Sequence, residues 1–145
     1  MRLILLGLFL SLAACGGLDE TNLKCKDCLE VQVVRIIDGD TLDTSRDVIR
    51  LYGIDAPEVG QNCASKATRR LRNLAGNTIR IEAGPRTIDP FGRLLVYLYT
   101  EDGASIDEVL IREGLATAWT QDGQHRDYLV GLEKETQSQG TGCLW

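Results

Sequence analysis

Asp40, Arg50, Asp55 and Glu58 are the residues of this chain whose types and spacing could do chemistry. A hard divalent cation is held by a few carboxylate or carbonyl oxygens. Attack on a phosphoryl group needs a fixed positive fork and a base beside it. Residues 49–58, IRLYGIDAPE, read with DGDT at 38–41, offer all of these within a short run. Taken singly, each has an ordinary explanation: Asp40 as a residue of an Asp-Gly-Asp turn, Glu58 as a loop carboxylate or salt-bridge partner.

The elements that must position them follow from periodicity. Ile49, Leu51 and Gly53 alternate with Arg50, Tyr52 and Ile54, the period of a half-buried strand, so Arg50 is expected on the face opposite Ile49 and Leu51. Asp55 and Glu58 flank Ala56-Pro57, and Pro57 restricts Ala56 to extended geometry.

Three segments, IDGDT at 37–41, RLYGIDAPE at 50–58 and DPFGR at 89–93, resemble the signature segments of the staphylococcal nuclease (thermonuclease) family, in the family's order. The resemblance runs from about residue 31 to residue 145. It implies an α+β fold, a five-stranded OB-type β-barrel with three helices. It implies Ca²⁺ held by Asp40, Asp55 and the backbone carbonyl of Ala56, where the family usually has threonine. Glu58 would be the general base, and Arg50 and Arg93 the catalytic arginines, whose planar charged forks grip phosphate oxygens. Asp38 fits a supporting role near the cation. The implied reaction is hydrolysis of DNA and RNA at the bond to the 5′ oxygen, leaving 3′-phosphates, by a monomer.

The chain also departs from the family. Pro90 and Phe91 replace a lysine and a tyrosine, and the tyrosines expected after the second helix are absent from residues 116–121. These departures bear on base and terminal-phosphate binding, for which Phe91 and Trp119 are candidate stacking residues. His125, the single histidine, reads as a surface residue at a helix start. Two other readings stay open: a catalytically inactive OB-type nucleic-acid-binding module, and an exported structural or adhesion domain with surface acids.

Pattern alone supplies the other elements. Residues 31–37 (VQVVRII) read as a first strand, 41–44 as the start of a second, and 48–54 as a third. Ala64, Ala67, Leu71 and Leu74 have helical spacing, closed by Gly76. Residues 78–82 read as a fourth strand, 84–90 as a loop and 92–99 as a fifth strand. Ser105-x-x-Glu108 is a capping box opening a helix that runs to Arg112, and residues 126–137 read as a third helix.

The N-terminus is separate from the fold. Arg2, an apolar run over 3–12 and then Ala13-Ala14-Cys15 have the order of an export signal, and the run is shorter than the roughly 20 residues of a membrane span. Leu12-Ala13-Ala14-Cys15 resembles a bacterial lipobox, so Cys15 is the expected lipidation site. The chain divides into a signal at 1–14, a lipid-anchored tether at 15–30 and the nuclease-like domain at 31–145, exported and held at the outer membrane or cell surface. Setting Cys15 aside leaves Cys25, Cys28, Cys63 and Cys143, which allow three pairings in an oxidising compartment. Cys25–Cys28 with Cys63–Cys143 is preferred, since the second bridge would tie the C-terminal tail to the first helix. The net charge of −5 argues against a broad electrostatic footprint on nucleic acid, although residues 63–86 carry six basic groups against one acid.

Overall fold

A computed structural model describes residues 21–145. The expected signal segment, Cys15 and the first part of the tether lie outside the described residues. Strands β1 (Leu29–Ile36), β2 (Thr41–Thr44), β3 (Val48–Leu51), β5 (Thr78–Ile88) and β6 (Leu94–Thr100) close a barrel in the order β1-β2-β3-β6-β5. β3 and β6 run parallel, and the other neighbours are antiparallel. A second small sheet pairs β4 (Ile54–Asp55) with β7 (Thr117–Ala118). Helices α1 (Ala64–Ala75), α2 (Ile106–Arg112) and α3 (Arg126–Ser138) complete the α+β, OB-type architecture.

The alternating strand residues Val31, Leu42, Ile49, Leu51, Ile79 and Leu98 fill the core. α1 adds Ala67, Leu71 and Leu74 from one face, leaving Arg69 and Arg72 exposed on the other. Each such leucine or isoleucine contributes roughly 1.5–3 kcal/mol when fully buried. Gly76 ends α1 at φ 53, a conformation that disfavours residues with a Cβ. Ser105 caps α2, its Oγ accepting the Glu108 N–H at 3.1 Å.

Several expectations are corrected. The strand expected over 48–54 is broken between Leu51 and Ile54. Arg50 Nη1 donates to the carbonyls of both Leu51 and Ile54, and the second contact is 2.6 Å. Those carbonyls therefore turn inward rather than joining a ladder. Tyr52 and Ile54 are buried as well, so the alternation of exposed and buried positions ends at Leu51. Residues 84–88, expected as loop, extend β5 through a register shift between Ala83 and Ile88. Pro85 lies inside that irregularity, where its missing N–H removes no ladder bond.

Residues 21–30, expected as tether, are built into the domain. The N–H groups of Asn22 and Leu23 donate to the Glu108 carboxylate at 3.0 and 2.9 Å, and β1 already begins at Leu29. Glu108 therefore serves this N-terminal segment instead of returning to Ser105 as a capping-box acid would. Both preferred disulfides are present: Cys25–Cys28, and Cys63–Cys143, which joins the residue preceding α1 to the C-terminal tail.

Candidate active site

Arg50 organises the site. It projects from β3, where pairing on both sides to β2 and β6 fixes its backbone. Its Nε lies 3.2 Å from Asp40 Oδ1 and its Nη2 2.8 Å from Asp55 Oδ1. With Nη1 on two carbonyls, four of its five N–H donors are committed, leaving one on Nη2. The two aspartates expected to share a cation are thus brought onto one guanidinium, from the turn before β2 and from β4.

Asp40 is buried, and each oxygen is further used. Oδ2 accepts the Ala56 N–H at 2.8 Å, and Oδ1 accepts the Thr41 hydroxyl at 3.0 Å. Asp38 Oδ1 accepts the Asp40 N–H at 3.1 Å, which shapes the turn. Burial pushes the Asp40 carboxyl up to about 6, while Arg50 pulls the other way. Asp55 is exposed, and its carbonyl accepts the Thr117 hydroxyl at 3.2 Å.

Arg93 joins the same network from the other side. Its Nη1 donates to Thr41 Oγ1 at 3.2 Å, so one hydroxyl links Asp40 to Arg93. Asp89 fixes the arginine's base, taking Nε at 2.6 Å and the Arg93 N–H at 2.9 Å. Burial would raise the Asp89 carboxyl, but these hydrogen bonds outweigh it and hold it low. Phe91 is 83% exposed, and the Arg93 guanidinium lies 5.4 Å from its ring centre. Thr41 was missed from sequence; only its place directly after Asp40 could have pointed to it.

Glu58 lies off this network. Its carboxylate makes no hydrogen bond or ion pair among the described residues, and its backbone N–H is held by Gln61 Oε1 at 2.8 Å. It lines a cleft of about 660 Å³ together with Asp55, Ala56, Thr117 and Leu144 of the C-terminal tail. A smaller hollow of about 180 Å³, lined by Arg50, Arg93, Phe91 and Trp119, lies on the other side of the Arg50–Asp55 pair. A free carboxylate and two fixed arginines therefore border one ridge.

The donor set suits a hard cation. Among the described residues no group of three or more His, Cys, Asp or Glu side chains could hold a metal ion. What the site offers is two carboxylates already gathered at one point, with the Ala56 main chain beside them, and no sulfur or imidazole. Oxygen-only donors with water completing the shell fit Ca²⁺ or Mg²⁺ rather than zinc.

Trp119 is half-buried, its Nε1 donating to Asp122 at 2.9 Å, so it is part of a wall rather than a free platform. His125 is not a bare surface residue. Its Nε2 lies 3.0 Å from Glu82 Oε2, and its ring meets Tyr97 edge-on at 4.7 Å. The basic surplus of residues 63–86 is largely paired: Arg70 with Glu113, Arg80 with Glu30 and Arg86 with Asp122.

Comparison with known proteins agrees with this geometry. The family model described as staphylococcal nuclease homologue matches residues 48–145. The chain is 35% identical over 127 residues to an "Uncharacterized endonuclease" of Escherichia coli O157:H7, covering 83% of this chain and 79% of that one. It is 35% identical over 127 residues to the "Micrococcal nuclease" of Shigella flexneri, covering 79% and 72%. To the "Thermonuclease" of Staphylococcus intermedius it is 30% identical over 120 residues, covering 72% and 70%. With the barrel, the arginine between two aspartates and these relatives in agreement, the chain belongs to the staphylococcal nuclease family.

Proposed function

We propose that the protein is a calcium-dependent nuclease that hydrolyses phosphodiester bonds of DNA and RNA and leaves 3′-phosphate ends. The observation that carries the reading is the convergence of Asp40 and Asp55 on Arg50, with Arg93 joined to Asp40 through Thr41. Family membership supports it, since relatives bear the names endonuclease, micrococcal nuclease and thermonuclease.

Asp40, Asp55 and the Ala56 carbonyl are the groups that would hold Ca²⁺. When bound, the cation supplies positive charge next to a phosphate oxygen and a place to orient water. Glu58, unpartnered in its cleft, takes the proton from the attacking water. Arg50 and Arg93 turn donors from their carboxylates to the phosphate oxygens and stabilise the charge that builds there. One such donor typically contributes roughly 2.7–4 kcal/mol to barrier lowering. Water attacks in line, with no covalent intermediate on the enzyme.

The export reading belongs with this function. A lipid on Cys15 would hold the monomeric domain at the outer membrane or cell surface, where the two disulfides are stable. Incubation of the protein with single-stranded and duplex DNA and with RNA, in Ca²⁺ and in EGTA, tests the central proposal. Cleavage only with Ca²⁺, to 3′-phosphate ends, is expected. Intact nucleic acid in both, from folded protein, would overturn it in favour of a binding module.

A further inference from the structure

The hollow beside Arg50 and Arg93 has a wall that the reaction does not use. Leu51, Leu95, Pro90 and Phe91 give it apolar sides, and Arg86 closes it together with Tyr52 and Trp119. The Arg86 guanidinium lies 5.2 Å from the Tyr52 ring centre and 5.8 Å from that of Trp119. Asp122 Oδ2 accepts Arg86 Nε at 2.5 Å, and Oδ1 accepts both Arg86 Nη2 at 3.0 Å and Trp119 Nε1 at 2.9 Å. Arg86 is thereby fixed by two rings and a bidentate carboxylate rather than left to wander from β5. Tyr52 Oη, buried in the same wall, has no hydrogen-bond partner among the described residues.

Resting on the nuclease reading above, we propose that this hollow takes the base of a nucleotide flanking the scissile phosphate, and that Arg86 selects carbonyl-bearing bases. Its volume of about 180 Å³ is of the order of one planar base, and the exposed ring of Phe91 can stack on it. The chemistry of the wall decides the preference. Nη1 of Arg86 is spoken for by no protein acceptor and can only donate. Guanine presents O6 and N7 to such a donor, and thymine or uracil presents O4, whereas adenine and cytosine present amino hydrogens at the corresponding edge. Asp122 cannot rescue those amino groups, because both of its oxygens are already engaged by Arg86 and Trp119. Guanine, thymine and uracil flanks are therefore favoured over adenine and cytosine.

The test maps cut positions in end-labelled single-stranded DNA of mixed sequence at single-hit conversion, for the parent protein and for Arg86→Gln and Arg86→Lys. Parent cuts should fall at guanine or thymine flanks at least about five-fold more often than at adenine or cytosine flanks. Glutamine offers a donor and an acceptor, so Arg86→Gln should bring the four flanks within about two-fold, while donor-only Arg86→Lys should keep the bias. Parent cleavage without that bias, or Arg86→Gln retaining it, overturns the role of Arg86. Absence of any parent cleavage instead overturns the nuclease reading beneath it. Thermal unfolding of both variants accompanies the mapping, and loss of the bias in a variant with the parent melting temperature supports the assignment.

Discussion

Replacing Thr41 by valine keeps the volume of a buried side chain and deletes the one hydroxyl that joins the aspartate side of the site to the arginine side. Thr41 is 3% exposed, donates to Asp40 Oδ1 at 3.0 Å and accepts from Arg93 Nη1 at 3.2 Å. Hydrogen bonds to charged groups contribute about 1.5–3 kcal/mol each. Asp40 keeps Arg50 Nε and the Ala56 N–H, so its loss is partial. Arg93 keeps Asp89, and its side chain is 29% exposed, so Nη1 can turn to water. Both facts put the cost at the low end. What the variant loses is the orientation of Arg93 relative to Asp40. We expect kcat/KM to fall about 10- to 100-fold, or roughly 1.4–2.7 kcal/mol of barrier. KM should change little, because the charge on Arg93 remains. Thr41→Ser restores the hydroxyl and should return most of the rate. Steady-state cleavage of a single-stranded oligonucleotide reads the effect, with thermal melts confirming the fold. A valine variant at the parent rate, or a serine variant as slow as valine, would refute the link.

Asp107 is fully buried and accepts the N–H groups of Gly53 and Leu98, both at 2.9 Å. Burial raises its pKa from 3.8 to about 6, so the native chain holds this proton more tightly than the unfolded chain does. Its stabilising share is full below pH 3.8 and is lost as pH rises through about 6. Asp107→Asn does not titrate, so urea melts should show the variant gaining up to roughly 3 kcal/mol relative to the parent between pH 4 and 7. A difference that stays flat with pH would count against this. The Cys63–Cys143 bridge spans a sequence separation of 80, which corresponds to about 4 kcal/mol of loop entropy. It also anchors the exposed turn that carries Glu58, with Asn62 Nδ2 donating to the Cys143 carbonyl at 3.1 Å. Cys63→Ser/Cys143→Ser should therefore melt well below the parent and cleave more slowly even at temperatures where it is folded; parent-like activity there would show that the turn needs no anchor.

Legibility from sequence followed the range of the forces involved. Local signals sufficed for α1, whose apolar spacing and Gly76 stop are read directly, and for the Ser105 cap of α2. Arg50, Asp40, Asp55, Glu58 and Arg93 were found through motif types, and the fold then brings four of them into one network. What was missed depends on contacts distant in sequence. The 48–54 strand breaks because the Arg50 side chain competes for Leu51 and Ile54 carbonyls, which no alternation pattern encodes. Gly53 has no room for a Cβ, which would lie 2.6 Å from Leu129 and 2.8 Å from Asp107 Oδ1. Residues 21–30 are polar enough to read as tether, yet Glu108 gathers their N–H groups from far along the chain. His125 likewise finds Glu82 only once β5 and α3 are side by side.

The central claim is that one hydrolytic centre combines the Arg50 cluster with Glu58 as base. Its most direct test is the single-turnover rate of Glu58→Gln on single-stranded DNA at saturating Ca²⁺, with calcium affinity and melting temperature measured on the same sample. Glu58 is exposed and makes no ion pair among the described residues, so fold and calcium binding should match the parent. The cleavage rate should drop by about 10²- to 10⁴-fold, the usual worth of a positioned base. A variant that binds calcium and cleaves as fast as the parent would contradict the account.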